Sequence, residues 1–147
     1  MSASGKPESI DFGALWQTFH PRIPEVQTVP GEGMFFGVCR CIPDAADGSF
    51  EYVACFPATA DAPVPDGMVE AKIGEGQYVA FEVMGLAGMG NAYQEAGAWL
   101  AAHPEWESCC GEGNCDCANH PWFELYPPDF TPAGKLFIYA PVRAKAS

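Results

Sequence analysis

Hydrophobic and polar positions change period several times along the chain, and those changes mark out elements. In residues 10–19, Ile10, Leu15, Trp16 and Phe19 form one helical stripe, and His20-Pro21 stops it. Residues 22–33, with Pro24, Pro30, Gly31 and Gly33, read as loop. Residues 35–42 and 50–56 read as two strands joined by the polar turn 43–48, an antiparallel hairpin. A Pro- and Asp-containing loop covers 57–67. Residues 68–73 and 77–83 predict a second hairpin about Gly74-Glu75-Gly76. The strongest helical signal is 89–103, where Tyr93, Ala96, Gly97, Leu100 and Ala101 recur at helical spacing before Pro104. Residues 108–120 are Gly/Cys-rich and irregular. Residues 122–126 and 136–142 predict the last two strands.

A helix followed by a hairpin therefore occurs in each half. That pattern predicts an α+β fold, a duplicated unit on a largely antiparallel sheet. The halves share pattern only, without evident residue identity. Their expected extents are about 10–67 and 68–142 within a single domain of residues 1–147. Residues 1–9 are polar, with Ala3 as their one apolar aliphatic besides Met1, and carry Gly5 and Pro7. They predict a weak or missing first strand. A missing strand would leave an unpaired edge beside 35–42, and on that ground a homodimer is expected.

Composition narrows the function. The chain has 147 residues, 48% of them hydrophobic, so it can build a core. Lys and Arg number 7 against 19 Asp and Glu, giving a formal charge of −12. Such a field repels nucleic acid and anionic membrane and attracts cations. The loop acids Asp44, Asp47, Asp61 and Asp66 read as a rim that steers cations inward. Aromatic residues, 13% of the chain, can line an apolar pocket. Residues 1–11 lack a signal-peptide pattern and no run approaches the ~20 apolar residues of a membrane span, so a cytoplasmic location is expected. The 7 Cys, an odd number, predict reduced thiols.

Candidate chemistry centres on residues 122–126. Strand alternation puts Trp122, Glu124 and Tyr126 on one face, with Phe123 and Leu125 on the other. A carboxylate between two aromatic rings suits a cation. The competing reading is an ordinary surface charge. By the same alternation Phe50, Tyr52, Ala54 and Phe56 share a face, as do Phe137 and Tyr139, and the intervening Val53, Cys55, Leu136 and Ile138 would pack under the helices. Tyr52 and Tyr139 are the pocket candidates, because a phenol offers a ring and a donor; plain core packing is the alternative. Trp16 and Trp99 sit at equivalent places on the two helices and could close a groove or anchor their helices. Glu82, after Phe81 in a strand, could be a second pocket acid, but a surface position is the favoured reading.

Cys109, Cys110, Cys115, Cys117 and His120 lie within twelve residues, enough donors for a zinc site. The spacing lacks two Cys-x-x-Cys knuckles, and a flexible loop without metal is expected there. No phosphate loop, dinucleotide fingerprint or Gly-x-Ser-x-Gly elbow is present, and no cofactor is called for.

Seven stretches stand in an order that carries a family likeness: Leu15-Trp16-Gln17-Thr18-Phe19, Phe36-Gly37-Val38-Cys39, Phe50-Glu51-Tyr52-Val53-Ala54, Pro65-Asp66-Gly67-Met68, Gly76-Gln77-Tyr78-Val79-Ala80-Phe81, Phe123-Glu124-Leu125-Tyr126 and Ile138-Tyr139-Ala140-Pro141-Val142. The chain resembles the gyrase-inhibitor-like, or bacterial transcription-activator effector-binding, domain, and most of all the free-standing integron-associated effector-binding proteins. The resemblance implies two pseudo-symmetric strand-helix-strand-strand modules with a ligand groove between them. It implies multidrug-type binding of lipophilic aromatic cations, with Glu124 as the acidic centre, for sensing or sequestration. Trp122, Tyr126, Tyr52, Tyr139 and Trp99 would complete the ligand set. Two alternatives come with the resemblance. One is a cofactor-free hydrolase that opens cyclopropane rings of planar DNA-alkylating compounds through Glu124. The other is an acidic interaction module that inhibits a topoisomerase.

Overall fold

The computed structural model describes residues 1–28, 33–42, 49–111, 114–115 and 119–145. The elements run β1 (Ser2–Gly5), α1 (Phe12–Phe19), β2 (Phe35–Cys41), β3 (Phe50–Cys55), β4 (Gln77–Met84), α2 (Met89–Ala102), β5 (Trp106–Ser108), β6 (Cys110–Gly111), β7 (Asn114–Cys115), β8 (Trp122–Tyr126) and β9 (Lys135–Ala144). Short 3-10 turns follow β1 and α1 and precede α2.

α1 starts two residues later than the hydrophobic stripe suggests. Asp11 caps it, its carboxylate accepting from the Ala14 N–H at 2.9 Å, while Ile10 stays extended and buried. α2 ends where Pro104 forbids another turn.

The main sheet is antiparallel in the order β1-β3-β2-β8-β9-β4, with β5 added to β9. The pieces β1-α1-β2-β3 and β4-α2-β8-β9 follow the same strand-helix-strand-strand course. They meet along β2 and β8, so the strand order reads alike from either end. This is the α+β fold with a largely antiparallel sheet that the pattern predicts.

Two expectations are corrected. The first strand is present. β1 pairs residue for residue with β3 from Ser2↔Val53 to Gly5↔Phe50, and Met1 extends the ladder to Ala54. An edge strand needs backbone groups for pairing and only a little apolar surface, which Met1 and Ala3 supply to the core. β2 pairs with β3 on one side and β8 on the other, so the unpaired edge on which the homodimer rested does not exist.

The second correction concerns residues 68–73, which form no strand. Their expected partner, β4, pairs with β9 instead. The glycine turn serves another contact. The Gly74 N–H donates to the Asn119 carbonyl at 2.5 Å, and a Cβ on Gly74 would sit 2.5 Å from that oxygen. Chain 68–73 instead packs against the core, Ala71 on one face of the sheet and Met68 with the cluster on the other.

Register decides the two faces, because directly opposed residues point the same way. Gly37 opposes both Ala54 and Glu124; Glu124 opposes Ile138; Ile138 opposes Phe81. On this inner face Tyr52 and Ala54 pack with Ile10, Phe19 and Trp16 of the α1 region. Val83, Tyr126, Leu136 and Ile138 pack with Ala92, Met89 and Tyr93 of α2. Both helices thus cover one face. Val38, Val53 and Phe123 are the buried core of the other.

Candidate functional site

Glu124 sits at the middle of β8, on the face roofed by α1 and α2, and is 6% exposed. The surface-charge reading is therefore overturned. Three hydroxyls converge on its carboxylate. Tyr52 on β3 and Tyr126 on β8 donate to Oε1 at 2.8 and 2.7 Å, and Tyr93 on α2 donates to Oε2 at 2.8 Å. Trp16 on α1 extends the network, its indole N–H donating to the Tyr52 hydroxyl oxygen at 3.2 Å. β3, β8 and α2 each send one hydroxyl to this carboxylate, and α1 joins them through Tyr52.

The aromatic walls have specific contacts. Phe12 meets Tyr52 edge to face at 4.8 Å, and Trp16 meets Tyr126 the same way at 5.7 Å. Trp122 lies 6.0 Å from Tyr93 and its indole N–H donates to Ser108 Oγ at 3.4 Å. Cys39 on β2 places its sulfur 3.9 Å from the Tyr93 hydroxyl.

Gly37 makes the gathering possible. A Cβ there would lie 2.6 Å from Tyr52 Cζ and 2.7 Å from Glu124 Oε1. The bare backbone of β2 is the floor over which side chains from β3 and β8 meet.

Charge is the distinctive property. Among the described residues no Lys, Arg or His nitrogen pairs with Glu124. Burial pushes its pKa up, while the hydroxyls of Tyr126, Tyr93 and Tyr52 pull it back by hydrogen-bonding the ionised form. The tyrosines respond in turn. Burial and the facing carboxylate hold Tyr52 and Tyr93 well above the usual phenol range and raise Tyr126 too, so all three remain donors. Cys39 is also raised, by burial and by Glu124.

A family model for integron-associated effector binding proteins matches residues 3–142. The chain belongs to that family. The transcriptional regulator BrlR of Pseudomonas aeruginosa is 32% identical over 87 residues, which is 59% of this effector-binding chain and 31% of BrlR. The chain thus spans under a third of that relative's length. Two solved structures share the fold. A putative bacterial transcription regulation protein from Staphylococcus aureus superposes with a TM-score of 0.60 at 14% identity, covering 98% of this chain and 90% of its own. SAV2435, solved bound to tetraphenylphosphonium, gives 0.60 at 15% identity, covering 97% and 86%.

In this effector-binding chain the structure brings Glu124, Tyr52 and Tyr126 into contact, with Trp122 half-buried beside Tyr93. It does not bring Tyr139. That residue opposes Phe123 and stacks on it at 4.7 Å, on the outer face. Nor do Val53 and Cys55 lie under the helices; they face outward with Tyr139. Leu136 and Ile138 do lie on the helix side. Trp99 packs on Phe81 and stacks on His103, away from Glu124. Glu82 is a surface acid beside Lys135 at 3.3 Å.

Of the cysteine-region residues, Cys109 is half-buried and its N–H donates to the Pro141 carbonyl at 3.1 Å. His120 Nε2 lies 2.8 Å from the Glu75 carbonyl and so carries a proton toward it. Cys110 and Cys115 are register partners across β6 and β7. Their side chains, and Cys117 altogether, lie outside the described residues, as do Asp44 and Asp47. Among the described residues no cluster of metal-ligating groups is present. No described helix is long and apolar enough to cross a membrane.

Sequence reasoning missed Tyr93, Gly37 and the role of Trp16. Tyr93 carries a helical-stripe signal that cannot be told from core packing. Gly37 stands inside an apolar strand, which is itself a sign of close approach by another group.

Proposed function

We propose that this domain binds lipophilic, aromatic, cationic small molecules, with Glu124 as their counter-charge. The observation that carries the reading is a buried carboxylate whose partners are all neutral hydroxyls. An ion without a counter-ion in a low-dielectric site is costly to hold. A cation of the right shape relieves that cost and gains ring-face attraction from Trp122 and the tyrosines. Membership of an effector-binding family supports the reading. The tetraphenylphosphonium held by SAV2435, a fold relative, is a ligand of this class.

The ring-opening hydrolase would need Glu124 as a base toward water. Burial raises its basicity, but three donated hydrogen bonds already take up three of its roughly four lone-pair sites and leave little of the carboxylate to meet an attacking water. The geometry therefore supports binding above hydrolysis. The decisive experiment is a fluorescence titration of Glu124→Gln with a planar cationic dye and its neutral isostere. The substitution should weaken the cation by about 1–3 kcal/mol and leave the isostere nearly unchanged. Equal losses for both would remove Glu124 from the role of counter-charge.

A further inference from the structure

A cavity of about 660 Å³ opens where the chain leaves β3 and folds back through residues 57–73. None of Glu124, Tyr52, Tyr93 or Tyr126 lines it, so it is distinct from the carboxylate site. Its wall is mainly apolar, with Phe36, Phe56, Met34, Met68, Val69 and Ile73 prominent. The volume falls within the ~300–1,000 Å³ usual for small-molecule sites.

Its polar groups are turned elsewhere. The Cys55 thiol donates to the Val53 carbonyl at 3.3 Å, and the Thr59 hydroxyl to the Gln27 carbonyl at 3.5 Å. The Met1 ammonium donates to the Ala54 carbonyl at 2.8 Å. Glu70 and Lys72 line it from exposed positions. Glu70 is the one carboxylate of the lining, and unlike Glu124 it is not buried.

A second observation sits at the same place. Val64, Val69 and Ile73 are exposed by 49%, 41% and 36%, and all three line this cavity. Large aliphatic side chains kept in water around one concave surface mark a binding surface rather than a core.

We propose that this cavity is a second ligand site, selective for uncharged lipophiles. A charged ligand entering it would lose hydration against a mainly apolar wall whose Glu70 and Lys72 stay in water, whereas a neutral one gains from covering Val64, Val69 and Ile73. The domain then has two sites of opposite preference. One is built around a buried carboxylate, the other on a mainly apolar wall without a buried charge. The second does not depend on the reading of Glu124.

The test is a fluorescence titration with N-phenyl-1-naphthylamine, an uncharged probe, on the full chain. One probe per chain should bind. Ala62→Trp, which adds bulk to the cavity wall, should weaken it by about tenfold. Val69→Asp, at an exposed position, repeats the test without risk to folding and should weaken the probe likewise. Absence of binding, or unchanged affinity in both cavity variants, overturns the proposal. So does an affinity that follows protein concentration, which would assign the surface to a second copy of the chain.

Discussion

The two faces of the sheet are built from alternate residues of the same strands and hold aromatic side chains to opposite ends. On the outer face Phe123 lies flat on Tyr139, 4.7 Å apart and within 5° of parallel, and meets Tyr78 and Phe36 at its edges. The Tyr78 hydroxyl reaches a backbone carbonyl, that of Gly74, at 3.0 Å. On the inner face the hydroxyls of Tyr52, Tyr93 and Tyr126 all end on one carboxylate. Rings are more numerous on the inner face, but both faces use them. The difference is where the polar end of each ring is spent. Outside, the rings complete a core. Inside, they hold a charge in place without neutralising it.

The largest expected effect falls on the outer face. Phe123→Ala should lower the unfolding free energy by about 3–5 kcal/mol in denaturant titration, since it empties the centre of that cluster. Its preference for cationic over neutral dye should survive, because no outer-face group touches Glu124. A lost preference would mean that the faces are not separable.

Tyr93→Phe comes next. It removes the donor to Oε2 and leaves half of the carboxylate unsatisfied, for an expected cost of about 1–3 kcal/mol at neutral pH.

The pH dependence sharpens the contrast further. Glu124 holds its proton more tightly in the folded chain than in the unfolded one. Its favourable contribution to stability is therefore complete below the ordinary carboxylate range and is lost as pH rises through its raised pKa. Cation affinity runs the other way, falling as pH drops through the same window. The difference between the native chain and Glu124→Gln, in melting temperature and in dye affinity across pH, isolates both trends. Parallel trends would contradict the counter-charge role.

The smallest effect is expected for Tyr139→Phe. Stability should change by less than about 0.5 kcal/mol and dye affinity not at all. A clear loss of dye affinity would return Tyr139 to the ligand site.

The alternation in Trp122-Phe123-Glu124-Leu125-Tyr126 is enough to put Glu124 and Tyr126 on one side, and the hairpin signals suffice for β2, β3, β8 and β9. Period is a local property and is readable in one segment. Register is not. That Phe123 rather than Glu124 opposes Tyr139 depends on where β8 and β9 meet, and one residue of slip reverses the face. Tyr93 reaches Glu124 only through the docking of α2 on the sheet, a contact 31 positions apart that no spacing records. β1 escaped detection for the opposite reason. Its residues carry almost no hydrophobic signal, and the neighbouring strand supplies the pairing.

Gly37 has a consequence for how the domain can diversify. Tyr52 and Glu124 stand on strands two apart, about 10 Å across the sheet at ordinary strand spacing, and they touch only because β2 carries no side chain between them. A library that randomises the visible lining, such as Trp122 or Trp16, can retune the shape of the accepted molecule. A methyl group at position 37 would separate the phenol from the carboxylate before any guest arrived. Ligand preference in this fold can drift through its walls, but the position with the least chemistry is the one that evolution or design has least freedom to change.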